Sequence, residues 1–123
     1  MSAPSIPPGW PAAVAPPGSP GWERSAVGWL FDLCPGDYRS YDVLLRHPVV
    51  LARLAGHEVA ASLEAARRGF ATARADLRDE LTPDVVAGVL AMYEREGARL
   101  LRVTREVALV SHALQGRRYV PRL

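Results

Sequence analysis

The chain has 123 residues, of which 49% are hydrophobic and 23% are charged, and this length allows one domain with a modest core while it excludes two. The net charge of +2 is too small to indicate a nucleic-acid-binding protein by itself, and the single cysteine, Cys34, excludes an internal disulfide framework and fits a reducing compartment. Because the N-terminus lacks the basic and apolar segments of a signal peptide, and no apolar run is long enough to span a bilayer, we expect a cytoplasmic protein without a membrane partner.

Residues 1–21 contain seven of the eleven prolines in the chain. Proline fixes φ and removes a backbone donor, so this segment is expected to be an arm, extended and solvated, rather than a helix or a central strand. A second interpretation stays open, because Trp10 and Trp22 each follow a Pro-Gly pair and an exposed indole leaves a large apolar area in water. In that interpretation, Trp10 and Trp22 anchor the arm along the helices.

A short helix is predicted over residues 22–33, where the apolar residues Ala26, Trp29, Leu30 and Leu33 recur at helical spacing. The pair Pro35-Gly36 ends it in a turn. Residues 38–42 are expected to form a loop, and residues 43–46 a short helical turn.

Two long helices are predicted over residues 48–80 and 83–115, each about 50 Å long at a rise of 1.5 Å per residue. Thr82 is a favoured N-cap residue and Pro83 takes the first helical position, so the break between them is a stop followed by a new start. Gly116 is expected to end the second helix, ahead of an extended tail over residues 117–123. The predicted fold is therefore all-α: a single domain over residues 22–123, built on a long antiparallel, coiled-coil-like hairpin.

Both long helices carry apolar or small residues at alternating steps of three and four, the period of a coiled-coil seam. In the first they are Val49, Ala52, Gly56, Val59, Leu63, Ala66, Phe70, Ala73 and Leu77. In the second they are Val86, Leu90, Tyr93, Gly97, Leu100, Thr104, Val107, Ser111 and Leu114. A second stripe of Val89, Val103 and Val110 predicts another contact for that helix. The partner in this second contact is the short helix, the arm or a second copy of the chain.

All fifteen basic residues are arginines, and they are unevenly placed. Residues 1–94 carry 8 arginines and 11 acidic residues, whereas residues 95–123 carry 7 and 2. The candidate contacts for an anionic partner are Arg95, Arg99, Arg102, Arg105, Arg117 and Arg118. The competing interpretation is a solvated helix face with ion pairs along the helix. Along the first long helix, Arg46, Arg53, Arg67 and Arg74 share one heptad phase.

No cofactor, metal or catalytic site is predicted. The three histidines, His47, His57 and His112, are no closer than ten residues in sequence, and no Glu-x-x-His pair is present for a metal in a helical bundle. Ser62 and Ser111 lie within predicted helices without a nucleophile elbow. We therefore expect a protein that is not an enzyme.

The functional prediction is a helical scaffold or adaptor that acts through protein–protein contacts. Its expected partner is a second copy, closing a four-helix bundle, or another helical protein. A monomer packed by the short helix and the arm is the competing arrangement. The alternative function is a nucleic-acid- or ribosome-associated factor that uses the arginines of the last helix.

Overall fold

The structure is a computed structural model that describes residues 6–116. The predicted tail, with Arg117 and Arg118, lies outside the described residues. The described part is all-helical and has no strand, which confirms the predicted fold class. Its elements are α1 (Trp22–Asp32), a 3-10 turn (Gly36–Ser40), α2 (Asp42–Arg46), α3 (Pro48–Leu77) and α4 (Pro83–Leu114). The two long helices pack against each other as an antiparallel hairpin.

The reversal between α3 and α4 follows the predicted break. Thr82 is the N-cap of α4 in an extended conformation and Pro83 takes the first turn, although the Thr82 side chain makes no capping hydrogen bond. Helix α3 ends at Leu77, earlier than predicted. The backbone N–H groups of Glu80 and Leu81 both donate to the Leu77 carbonyl oxygen, at 3.0 and 2.9 Å, and this turn reverses the chain.

The seam between the long helices is formed by the predicted residues, which are buried or half-buried with one exception. Thr104 is exposed, and its hydroxyl donates to the Leu100 carbonyl oxygen one turn back, at 2.8 Å. That local bond satisfies the hydroxyl without a partner helix. Two further core residues, Leu51 and Ala55, are fully buried at 0% exposure on a side of α3 outside the seam.

A third layer packs on the base half of the hairpin, which comprises residues 48–66 and 100–114. Leu30 and Phe31 of α1 share one buried cluster with Leu51 of α3 and with Val103 and Val110 of α4. The second stripe of α4 is thus covered at its base end by α1 within a single chain.

Residues 6–21 differ from the expected extended, solvated arm. They form successive turns in which, for example, the Trp10 N–H donates to the Pro7 carbonyl oxygen at 3.1 Å. The Trp10 indole N–H donates to the carbonyl oxygens of Val14 and Ala15, at 3.0 and 3.2 Å, and its ring lies 6.2 Å from that of Trp22. Proline restricts φ without excluding turns, and folding the segment back removes the indole from water.

Candidate binding surface

The distal half of the hairpin, residues 67–99, consists of two helices with no third layer among the described residues. Helix α1 has 11 residues and is about 16 Å long, whereas α3 has 30 residues and is about 45 Å long. The 3-10 turn reaches α3 at Glu58, whose carboxylate accepts a hydrogen bond from the Tyr38 hydroxyl at 3.1 Å. Beyond that level, no residue within 6–116 covers the two faces of the hairpin.

The core of the distal half is correspondingly small. Its buried members are Ala73, Val86 and Leu90. A two-helix layer buries only the residues between the helices, so apolar side chains on either face stay in contact with water. Met92 is 46% exposed, and at the junction with the base half Leu101 is 41% exposed.

One close contact sets the spacing of the two helices in this region. The Tyr93 ring of α4 lies directly on Gly69 of α3, where an added Cβ would collide with the ring. Gly69 therefore gives the aromatic ring a place between the helices that no larger residue would leave.

On one side of the seam, two cavities form a continuous surface that we name the basic groove. The first has a volume of about 400 Å³ and is lined by Leu63, Ala66, Arg67, Phe70, Tyr93, Glu94, Gly97, Ala98 and Leu101. The second has a volume of about 290 Å³ and is lined by Arg74, Arg78, Leu81, Pro83, Val86, Ala87 and Leu90. The two lie on one side because residues seven positions apart share a helix face.

The flanks of the basic groove carry unbalanced charge. Arg67, Arg74 and Arg78 line it from the α3 side, and Glu94 is its one acidic lining residue. Arg105, one turn beyond Leu101, extends the positive charge towards the base. The groove thus combines an apolar floor with a positively charged flank.

The opposite side of the seam has smaller side chains and little net charge. Its cavities are lined on α3 by Ala61, Ala65 and Thr72, among others, and on α4 by Met92 and Glu96. The Glu96 carboxylate accepts hydrogen bonds from the Arg99 guanidinium, with the closer contact at 2.5 Å, and these bonds lower the pKa of Glu96.

The structure separates the arginines that the sequence grouped together. Arg95, Arg99, Arg102 and Arg105 are all exposed, but Arg99 is paired with Glu96. Arg95 and Arg102 lie on the outer face of α4, about half a turn around the helix from the seam. Only Arg105 lies on the side of the basic groove.

The arginines that do line the groove were absent from the predicted contacts. Arg67 and Arg74 gave a signal in the sequence, since they share the heptad phase of Arg53, and Arg78 follows Arg74 by one turn. The phase showed a common helix face, but only the packing of α3 against α4 reveals that this face borders an apolar groove.

Cys34 and Tyr38 belong to the layer that packs on the base half. Burial raises the pKa of the Cys34 thiol, the charge of Glu58 adds to that effect, and Arg39 opposes it. The Tyr38 pKa is also raised, chiefly by the hydrogen bond to Glu58. Among residues 6–116, no group of three His, Cys, Asp or Glu side chains is placed to hold a metal ion.

Comparisons with protein-family models, with curated proteins and with solved structures found no match to this chain. None of the helices within residues 6–116 has both the length and the apolar composition that crossing a bilayer requires.

Proposed function

We propose that the protein is a non-enzymatic helical scaffold or adaptor, and that the distal half of its hairpin binds other proteins. The observation that supports this proposal is the contrast between the two halves. The base half has a third layer of α1 and the arm, whereas the distal half leaves apolar cavities open on both faces. An open apolar face of this kind is typical of a surface that receives a partner helix.

Self-association is part of the proposal, through the face opposite the basic groove. Its small residues, such as Ala65, let a second helix approach closely, and Met92 would be covered in a four-helix bundle. Light scattering coupled to size exclusion tests it. A dimer mass at tens of micromolar that becomes a monomer mass in Met92→Glu supports self-association, with Ala91→Glu on the outer face of α4 as the matched control. A monomer at every concentration would remove self-association and leave the adaptor role.

The nucleic-acid alternative uses Arg95, Arg102 and Arg105, which are exposed. It is weakened because Arg99 is engaged by Glu96 and because the patch contains no aromatic side chain on which a base could stack.

Affinity capture from a native lysate, with and without nuclease treatment, separates the two functions. A scaffold recovers a defined protein that persists after nuclease treatment. Recovery of RNA or DNA, with every captured protein lost after nuclease treatment, would contradict the scaffold proposal.

A further inference from the structure

The basic groove has the floor of a helix-binding site. Its cavities are floored by aliphatic and aromatic side chains, of which Phe70 is half-buried and Leu101 is 41% exposed. From Leu63 to Arg78 the groove is about 23 Å long, which corresponds to a partner helix of roughly 16 residues. A floor of this length accepts the i, i+3, i+4, i+7 anchors of an amphipathic helix.

The arginines on the α3 side of the basic groove favour a partner helix with negative charge. Arg67, Arg74 and Arg78 form no ion pair with any described residue, since the arginines that do so within residues 6–116 are Arg39, Arg46 and Arg99. Three unpaired guanidinium groups beside an apolar floor favour carboxylates at the edge of a bound helix.

A second copy of the chain does not supply such a helix. Helix α3 carries Arg53, Arg67, Arg68 and Arg74 against Glu58, Glu64 and Asp76. Helix α4 carries equal numbers of arginines and acidic residues, four of each. Neither long helix is acidic, so the groove is better matched by a helix from a different protein.

We infer that the basic groove receives an acidic amphipathic helix of another protein, whose apolar side packs between Phe70 and Leu101 and whose carboxylates pair with Arg67, Arg74 and Arg78. This inference rests on the proposed scaffold function, since it names the partner chemistry of one face. It also differs from a nucleic-acid site, because a long apolar floor offers phosphates no contact.

The test uses the full chain and three synthetic helical peptides of about 18 residues with identical leucine anchors. One peptide has glutamates on both flanks, the second has glutamines and the third has lysines. Fluorescence anisotropy should give tightest binding to the glutamate peptide, with an affinity that falls as salt is raised. Equal binding of the glutamate and glutamine peptides, or no binding of either, would overturn the inference.

A matched pair of charge reversals locates the site. Arg67→Glu combined with Arg74→Glu should weaken binding of the glutamate peptide by about tenfold or more. Arg95→Glu combined with Arg102→Glu makes the same change in net charge on the outer face of α4, and should leave the affinity within about twofold. Equal losses from both pairs would mean that net charge, not the groove, attracts the peptide, and would contradict the inference.

The apolar contribution is measured separately with Leu101→Ser, which should weaken both the glutamate and the glutamine peptides, with circular dichroism confirming that the variant is folded. Binding of a generic duplex or RNA that depends on Arg67 and Arg74 more strongly than peptide binding does would replace the inference with a nucleic-acid site. A third outcome is that none of the peptides binds, but affinity capture still recovers a protein and this recovery requires the distal half. The inference is then wrong while the proposed function stands.

Discussion

At the scale of single residues, the pairing of Gly69 with Tyr93 shows where packing imposes a requirement that the sequence does not reveal. Glycine lowers helix stability by about 1 kcal/mol relative to alanine, and α3 nevertheless has Gly69 about two turns before its end. The seam pattern identified Tyr93 as an inward residue, but spacing alone could not show that its ring covers Gly69. The cost of the glycine is offset by the place that it gives to the ring.

Substitution of Gly69 by alanine should therefore lower the free energy of unfolding by about 1–2 kcal/mol, because the ring must leave its site. In a Tyr93→Ala background the same substitution should instead stabilise by about 0.5–1 kcal/mol, since only helix propensity remains. Urea unfolding of the wild-type chain, the two single variants and the double variant gives the free energies of this double-mutant cycle. Gly88→Ala, on an exposed part of α4 with nothing near its added Cβ, is the control and should also stabilise. A gain from Gly69→Ala in the wild-type background would contradict this account.

Cys34 provides a second prediction at this scale. Its side chain is 9% exposed and burial raises its pKa, so the thiolate that reacts with disulfide reagents is scarce in the folded protein. At mildly alkaline pH the native chain should react at least about tenfold more slowly than the urea-unfolded chain. Reaction at the unfolded rate would show that the cysteine is accessible and that the packing of α1 on α3 is loose.

At the scale of elements, the hairpin was predictable and its surroundings were less so. The alternation of three and four along both long helices, with Thr82-Pro83 between them, determines two helices and a reversal. The position of the arm could not be derived in the same way. Proline restricts the backbone angles of residues 6–21, whereas where the segment lies depends on contacts between Trp10 and Trp22 that are set by tertiary packing.

The basic groove, too, was only partly predictable from the sequence. A shared heptad phase identified Arg67 and Arg74 as neighbours on one face of α3. The seam residues of α3 and α4 imply which flank of α4 lies beside them, whereas the cavities left between the helices depend on side-chain packing that the step pattern leaves open. The density of arginine along α4 drew the prediction to Arg95 and Arg102 instead, which lie on the outer face of α4 away from the seam.

The contribution of the arm is testable at Trp10. Trp10→Ala should destabilise the protein by about 2 kcal/mol, less than for a fully buried tryptophan because the ring is only half-buried. Trp10→Phe keeps a ring but loses the hydrogen bonds to Val14 and Ala15, and should cost about 1 kcal/mol.

Hydrogen exchange at the Ala15 amide reports directly on the arm, since this group donates to the Ser25 hydroxyl oxygen of α1 at 3.0 Å. Its protection should fall in Trp10→Ala, while the amides of the α3–α4 seam stay protected. Unchanged exchange at Ala15 would mean that the arm is held by contacts other than Trp10.

At the scale of the whole molecule, the two ends of the hairpin differ. One end of the hairpin is consolidated by α1 and the arm around Leu30 and Val110, both fully buried, and the other end has no third layer from residues 6–116. A protein that only needed to fold would not require some 45 Å of α3 when its third layer is about 16 Å long. The length beyond that layer is consistent with the scaffold role that we propose, because it holds two open faces away from the core.

The most direct measurement of this claim is photo-crosslinking in the cell of origin, with a photoreactive amino acid placed at single exposed positions. Ala98 lines the basic groove, and His57 lies on an exposed face of α3 in the base half, which makes it the matched control. The account predicts a discrete protein adduct from Ala98 and none from His57. Adducts of equal yield from both positions, or from His57 alone, would contradict the assignment of binding to the distal half.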